Sequence, residues 1–185
     1  MTNLGFICKG NERRSYLAEV LAKEKDVPAL NISSRGLVTP KHNHISYRME
    51  TALRNEGHEP IHGFSPQEAS LEYLTAQDIL LCMSRRQVET VKHELRKQRE
   101  GRIIETLPWF AEGSDYDIPD IGDRKVVRRD LRKGIGGWLL RKRGYVDQVM
   151  DEDGLIRVFQ EMVREIDYYV AKAVQRIISE GLVTV

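Results

Sequence analysis

Cysteine is scarce in this 185-residue chain, and its scarcity excludes two kinds of architecture. Cys8 and Cys82 are the only two cysteines, so the sequence holds neither a disulfide framework nor a cysteine-based metal site. No apolar run approaches the ~20 residues that a membrane span requires. The N-terminus also lacks the basic start and apolar stretch of a secretory signal. These absences predict a cytoplasmic protein without a transmembrane segment.

Net charge is also nearly absent, because 29 Lys and Arg face 28 Asp and Glu, for a total of +1. The protein as a whole is therefore not a general polyanion binder. The charge is nevertheless segregated: nine Lys or Arg and one acid, Asp130, lie between Arg124 and Arg143 and give this segment +8. The segment is either a solvated charged face or a docking site for a polyanionic partner, such as a phosphorylated macromolecule, a nucleic acid or a membrane surface.

The rest of the chain alternates short apolar runs with helical patterns, which predicts an α/β protein with a parallel sheet. Hydrophobic residues make up 41% of the sequence, and the length suits one domain with a single core. The predicted strands cover residues 4–8, 29–33, 78–83 and 103–106. The predicted helices begin near Ser15, Ser46, Ser65, Ser84 and Leu155, with capping boxes at Ser65 and Ser84.

One string carries the chemistry, where the first predicted strand ends and the first helix begins. It consists of a cysteine, five residues, an arginine and a serine: Cys8-Lys9-Gly10-Asn11-Glu12-Arg13-Arg14-Ser15. In such a turn the backbone N–H groups of the loop converge on an anion, and the helix N-terminus adds the positive end of its dipole. The same field favours the thiolate form of Cys8. The string predicts a phosphate-binding loop over residues 9–14 with its nucleophile at Cys8.

The side chains of this string have separate tasks. Arg14 offers a planar fork that can hold two phosphate oxygens and stabilise charge in the transition state. Ser15 can donate a hydrogen bond to the thiolate, which makes sulfur a better leaving group. Gly10 lets the backbone approach a ligand closely, and Asn11 tolerates the left-handed conformation that such a loop requires. A Cys and an Arg six positions apart often arise by chance, but their combination with Gly10, Asn11 and Ser15 at a strand-to-helix turn is much rarer.

The string resembles the signature of the low-molecular-weight protein tyrosine phosphatases, Cys-x-Gly-Asn-x-x-Arg-Ser near the N-terminus. Further matches follow in chain order, outside residues 121–150: Ala18-Glu19, Ser34-Arg35-Gly36, residues 76–84 and Asp117-Ile118-Pro119-Asp120. The resemblance implies one domain over residues 1–185, built on a four-stranded parallel sheet with helices on both faces. The active loop would lie at the carboxyl end of strand 1, and residues 121–150 would be a basic insertion.

The resemblance also implies a two-step mechanism that needs no metal and no cofactor. Cys8 attacks phosphorus and forms a cysteinyl-phosphate while Asp120 protonates the departing oxygen or nitrogen, and water then attacks with Asp120 as base. Ser34 would hydrogen-bond Asn11 and hold the loop. The implied partner is a phosphorylated protein, modified on tyrosine or arginine, or a small phosphorylated substrate.

Departures from the family pattern bear on the substrate. Glu12 and Arg13 stand where the family usually has a small or apolar residue and then a cysteine. Glu12 either forms an outward ion pair with Arg13 or Lys9, or selects a cationic leaving group such as the guanidinium of phosphoarginine. Asp120 is followed by Ile121-Gly122 instead of the proline and aromatic residues that wall a phosphotyrosine pocket. The candidates for a substitute wall are Trp109, Phe110, Trp138 and Tyr145.

Two other functions stay open on the sequence. An arsenate reductase of the same fold needs a relay of further cysteines, and only Cys82 is available, inside the apolar run of residues 80–83. A phospho-ligand or polyanion-binding adaptor could keep the loop without catalysis. Such pseudoenzymes commonly lose part of the machinery, whereas Cys8, Arg14 and Asp120 are all intact. The sequence therefore favours a phosphatase.

Overall fold

The fold is organised around a four-stranded parallel sheet. The computed structural model describes residues 1–38, 40, 42–120 and 152–183, together with the backbone of 126–128 and 148–150. The strands are β1 (Thr2–Cys8), β2 (Leu30–Gly36), β3 (Ile79–Cys82) and β4 (Ile103–Thr106). They lie in the order β2-β1-β3-β4, and every neighbouring pair is parallel. The predicted strand number and orientation are confirmed.

Helices cover both faces of the sheet, as predicted. They are α1 (Arg14–Lys23), α2 (Tyr47–Asn55), α3 (Leu71–Ala76), α4 (Arg85–Leu95), α5 (Leu107–Glu112) and α6 (Glu152–Ser179), with a 3₁₀ turn at Arg96–Arg99. One face carries α1, α2, α5 and α6, and the other carries α3 and α4. Within the part of the chain that the structure describes, none of these helices is both long and apolar enough to cross a bilayer.

The central strand β1 is buried on both faces. Leu4, Phe6 and Cys8 belong to the core cluster formed with α1 and α6, whereas Ile7 belongs to the cluster formed with α4. This division follows from the two-residue period of a strand, which turns successive side chains to opposite faces. On the neighbouring strand β3, Cys82 belongs to the same cluster as Ile7. The two cysteines therefore lie on opposite faces of the sheet.

The helix predicted from Ser65 is wrong. Residues 65–70 are not helical. α3 begins at Leu71 and is capped by Ser70, whose side chain accepts a hydrogen bond from the backbone N–H of Tyr73. The earlier segment is extended because its backbone serves other elements. Gln67 O accepts a hydrogen bond from the backbone N–H of Gly36 at the end of β2. Tertiary contacts thus override a local helix signal.

The predicted basic insertion, residues 121–150, lies almost entirely outside the described residues. The exceptions are β5 (Val126–Arg128) and β6 (Gln148–Met150), which pair in parallel as a second, two-stranded sheet. The insertion as a unit, and the polyanionic partner expected at its basic residues, stay predictions.

Candidate active site

The loop between β1 and α1 folds back on the sulfur of Cys8. Cys8 is the last residue of β1 and is only 3% exposed. Its Sγ accepts hydrogen bonds from the backbone N–H of Asn11, at 3.2 Å, and from Ser15 Oγ, at 3.0 Å. Asn11 has the left-handed conformation that a loop of this kind requires, with φ of 55°. The two donors are placed to stabilise negative charge on the sulfur.

Asn11 holds this loop through its side-chain amide. Its Nδ2 donates to Ser15 Oγ at 3.0 Å and to Ser34 Oγ at 2.7 Å. Its Oδ1 accepts from the backbone N–H of Gln67 at 3.0 Å. Asn11 is fully buried, and both amide donors and the carbonyl oxygen are hydrogen-bonded. The amide therefore ties the loop to α1, to β2 and to the extended segment before α3.

A buried carboxylate completes this network, and sequence reasoning missed its role. Ser34 Oγ donates to Glu19 Oε2 at 2.6 Å, and the other oxygen of Glu19 pairs with Lys23. Because its hydroxyl donates to Glu19, Ser34 is left to accept from Asn11. The resemblance included Glu19 only as a matching position. A signal was present, since Ser15, Glu19 and Lys23 are four residues apart and share one face of α1.

Gly36, at the end of β2, allows the loop to pack against the strand. A Cβ built at this position would lie 2.8 Å from the carbonyl carbon of Gly10 and 2.9 Å from the backbone N of Asn11. Backbone atoms cannot yield as a flexible side chain can, so any larger residue would displace the loop. This contact explains physically why a glycine follows Ser34 and Arg35.

Arg14 and Asp120 meet beside the loop. Arg14 is 6% exposed, and it donates from Nη1 to the carbonyl of Ile118 at 2.9 Å and from Nη2 to Asp120 Oδ2 at 3.0 Å. Its Nε is buried without a hydrogen-bond partner among the described residues. Arg13 Nη1 donates to Asp120 Oδ1 at 2.9 Å. Two guanidinium groups therefore hold the carboxylate of Asp120 at the phosphate loop.

Asp117 has a different position from Asp120. Its Oδ1 accepts a hydrogen bond of 2.8 Å from the backbone N–H of Arg85, the first residue of α4. Ser84, the expected capping side chain, makes no capping bond, and Gln87 Oε1 bonds the backbone N–H of Met83. The predicted capping box at Ser84 is therefore wrong, because the cap comes from the loop before Asp120.

Glu12 does not form the ion pair that was one expected alternative. Its Oε1 accepts a hydrogen bond of 2.8 Å from the backbone N–H of His42, while Arg13 turns to Asp120. Among the described residues, no ion pair joins Glu12 to Arg13 or Lys9. The carboxylate stays close to the loop, because a Cβ built on Gly10 would lie 3.8 Å from Glu12 Oε2.

A cavity of about 550 Å³ opens beside the loop. In the part of the chain that the structure describes, it is lined by Lys9, Arg14, Leu37, Val38, Ser84, Arg86, Gln87, Thr90, Asp117, Ile118 and Pro119. None of these is aromatic. Phe110 is buried in the core with Arg176 over its ring, and Trp109 is exposed on α5. Neither supplies the expected wall of this cavity, and Trp138 and Tyr145 lie outside the described residues.

Cys82 is chemically isolated from Cys8. It is fully buried in β3, and burial raises the pKa of its thiol. A raised pKa leaves less of the reactive thiolate near neutral pH. With Cys82 on the opposite face of the sheet, the structure gives no path for a two-cysteine relay.

Alkylation should separate the two thiols. Iodoacetamide is expected to modify Cys8 at least ~10-fold faster than Cys82, because only Cys8 lies in a hydrogen-bonded, electropositive loop. Inorganic phosphate or vanadate should slow the labelling of Cys8 by occupying the loop, without affecting Cys82. Peptide mass spectrometry after timed quenching measures both rates. Equal rates for the two thiols would contradict the site described above.

The comparisons with known proteins agree with this geometry. Residues 3–133 match the family model of the low molecular weight phosphotyrosine protein phosphatases. A protein-arginine-phosphatase of Geobacillus stearothermophilus is 25% identical over 115 residues, which are 62% of this chain and 75% of that protein.

Solved structures show the same fold at low identity. An arginine phosphatase from Geobacillus stearothermophilus superposes with a TM-score of 0.71 at 18% identity, covering 98% of this chain and 96% of that one. A low molecular weight protein tyrosine phosphatase from T. tengcongensis gives 0.63 at 19% identity, covering 95% and 99%. The family match over residues 3–133 shows that the chain belongs to the low molecular weight phosphotyrosine protein phosphatase family and is a phosphatase.

Proposed function

We propose that the protein hydrolyses a phosphomonoester or phosphoramidate, carried on protein tyrosine or arginine, through a cysteinyl-phosphate intermediate. One observation carries the proposal. The sulfur of Cys8, 3.0 Å from Ser15 Oγ, shares a loop with a buried Arg14 whose Nε is uncommitted among the described residues. A nucleophile, a donor that stabilises it as a leaving group and a bidentate cation are the groups that phosphoryl transfer requires.

In the first step Cys8 attacks phosphorus and the bond from phosphorus to the leaving oxygen or nitrogen breaks. The loop N–H groups and Arg14 hold the equatorial oxygens, whose charge grows in the transition state. Asp120 supplies the proton that the leaving group takes. Its ion pairs with Arg13 and Arg14 keep the carboxyl group beside the loop. A phosphate bound in the loop would compete with Asp120 for Arg14, and would thereby release the ion pair between Asp120 and Arg14.

In the second step water attacks phosphorus and the sulfur leaves as a thiolate. Asp120, now ionised, accepts the proton of the attacking water. Ser15 and the backbone N–H of Asn11 donate to the departing sulfur. The relay from Glu19 through Ser34 to Asn11 acts as a support that fixes these donors before substrate arrives.

An arsenate reductase is a weaker alternative on physical grounds. That chemistry passes oxidation from the nucleophile to further cysteines, and Cys82 is the only other cysteine in the sequence. It is fully buried on the opposite face of the sheet. Because the two side chains point to opposite faces of the sheet, a disulfide with Cys8 would require the backbone to move.

The proposal is tested by phosphoryl trapping with a substrate panel. Phosphotyrosine and phosphoarginine peptides, with phosphoserine, sugar phosphates and nucleotides as comparators, are mixed with the enzyme and quenched within one turnover. We expect phosphate release from a phosphotyrosine or phosphoarginine substrate and one phosphoryl group on the peptide that contains Cys8. Binding without phosphate release would favour the adaptor instead. A phosphoryl group on another residue would overturn the mechanism.

Glu12 is proposed to influence which leaving group is preferred. Glu12→Gln removes the charge but keeps a carbonyl oxygen that can accept from His42, whereas Glu12→Ile removes both. If the carboxylate attracts a guanidinium, Glu12→Gln should lower the kcat/KM ratio of phosphoarginine to phosphotyrosine by about 10-fold or more. Glu12→Ile should lower it at least as far. A ratio unchanged in both variants would limit Glu12 to holding the His42 segment.

A further inference from the structure

The cavity beside the phosphate loop carries more positive charge than one phosphate requires. Among the described residues that line it, three are cations, Lys9, Arg14 and Arg86, and one is an acid, Asp117. One carboxylate oxygen of Asp117 is already engaged, because its Oδ1 accepts a hydrogen bond from the backbone N–H of Arg85. The buried Arg14 is assigned to the scissile phosphate. The other two cations, Lys9 and Arg86, have no assigned role in binding that phosphate.

These two cations are uncommitted. Among the residues that the structure describes, neither the ammonium of Lys9 nor the guanidinium of Arg86 forms an ion pair or a side-chain hydrogen bond. The neighbouring Arg85 offers a contrast, because its guanidinium pairs with Asp115 at 2.7 Å and it does not line the cavity. Of these two adjacent arginines of α4, Arg85 is engaged in an ion pair, whereas Arg86 lines the cavity and can bind a ligand.

Neutral hydrogen-bond donors line the same cavity. The hydroxyl of Ser84 makes no capping bond, and Gln87 uses its Oε1 for the backbone N–H of Met83, which leaves its amide N–H groups as donors. Both residues line the cavity. They lie at the first turn of α4, where the helix dipole is positive. Besides Arg14, the described lining of the cavity thus supplies two further cations and two neutral hydrogen-bond donors.

We propose that Lys9, Ser84, Arg86 and Gln87 form a second anion-binding subsite of this cavity, in which Lys9 and Arg86 bind a carboxylate or phosphate on the same substrate molecule as the scissile phosphate. The assignment rests on the proposed function, because it takes Arg14 as the site of the scissile group. The volume of about 550 Å³ exceeds that of one phosphate and falls within the ~300–1,000 Å³ range of ligand pockets. The preferred substrate therefore carries at least two separate anionic groups.

Matched substrate pairs test this subsite. One pair is a phosphotyrosine peptide with glutamates beside the phosphorylated residue and the same peptide with glutamines there. The other pair is phenyl phosphate with and without a ring carboxylate. We expect the anionic member of at least one pair to be preferred. A peptide-only preference identifies a neighbouring acidic residue, and a preference in both pairs identifies a carboxylate close to the phosphate.

Three variants test whether this preference depends on the residues of the subsite. Lys9→Gln and Arg86→Gln should each reduce it by about 3- to 10-fold, whereas Arg85→Gln should leave it unchanged. Each pair is measured as kcat/KM in the enzyme and as Kd in the Cys8→Ser background, where binding is seen without turnover. Preferential binding with no hydrolysis would keep the subsite and reject the proposed function. An unselective wild type, or a preference that survives both substitutions, would overturn the subsite.

Discussion

Cys8→Ser is expected to lower kcat on any substrate by on the order of 10⁴-fold or more, because a serine hydroxyl is a far weaker nucleophile than a thiolate. The fold should survive the change. A serine oxygen can still accept from the backbone N–H of Asn11 and from Ser15, which are the groups that Cys8 Sγ contacts. Initial rates of phosphate release measure the loss. Thermal unfolding and phosphate binding show whether the loop is intact.

The other cysteine provides the matched control. Cys82→Ala removes a buried thiol from the face of the sheet packed by α4, so it should cost stability on the order of 1 kcal/mol through the small cavity it leaves. Its kcat should stay within about twofold of the wild type. Loss of turnover in a folded Cys82→Ala protein would show that catalysis needs both thiols, as a redox relay does.

The features that the sequence predicted well are local ones. Cys8, Asn11, Arg14 and Ser15 lie within one turn between a strand and a helix, so their spacing alone brings them together. The sheet was also predictable, because strands covered on both faces appear as short continuous apolar runs, as in Leu80-Leu81-Cys82 of β3.

The supporting contacts depend on residues far apart in the sequence. Ser34 lies on β2 and Glu19 on α1, and only the parallel pairing of β1 with β2 brings their side chains to Asn11. The spacing of Ser15, Glu19 and Lys23 places them on one face of α1, but no local pattern indicates that Glu19 accepts a hydrogen bond from Ser34. The cavity is harder still to predict from the sequence. Its lining comes from four separate parts of the chain: the phosphate loop, the residues after β2, the start of α4 and residues 117–119.

The error at Ser65 shows how local and tertiary signals compete. A Ser-Pro-Gln-Glu string is a sound helix start by propensity. Here the backbone N–H of Gln67 donates to Asn11 Oδ1, and its carbonyl accepts from Gly36. A first helical turn could not offer both groups in these directions. The segment is therefore extended instead of helical, and its backbone hydrogen bonds hold the phosphate loop in place.

Asp120→Asn is expected to slow turnover by about 100-fold or more on substrates with poor leaving groups. The amide keeps the shape of the side chain but can neither donate a proton to the leaving group nor form the ion pairs with Arg13 and Arg14. The loss should shrink for an aryl phosphate whose leaving group departs without protonation. That dependence on the leaving group distinguishes proton transfer from a structural effect, which would slow all substrates alike.

Asp117→Asn is the control three residues away on the same loop. Its remaining carbonyl oxygen can still accept from the backbone N–H of Arg85, as Asp117 Oδ1 does at 2.8 Å. The expected cost is a lost charge at the N-terminus of α4, about 0.3–1 kcal/mol of stability, with kcat nearly unchanged. Rates across a series of leaving groups, beside thermal unfolding of both variants, separate the two aspartates. Were Asp117→Asn the more damaging change, with a leaving-group dependence of its own, the general acid would have to be reassigned to Asp117.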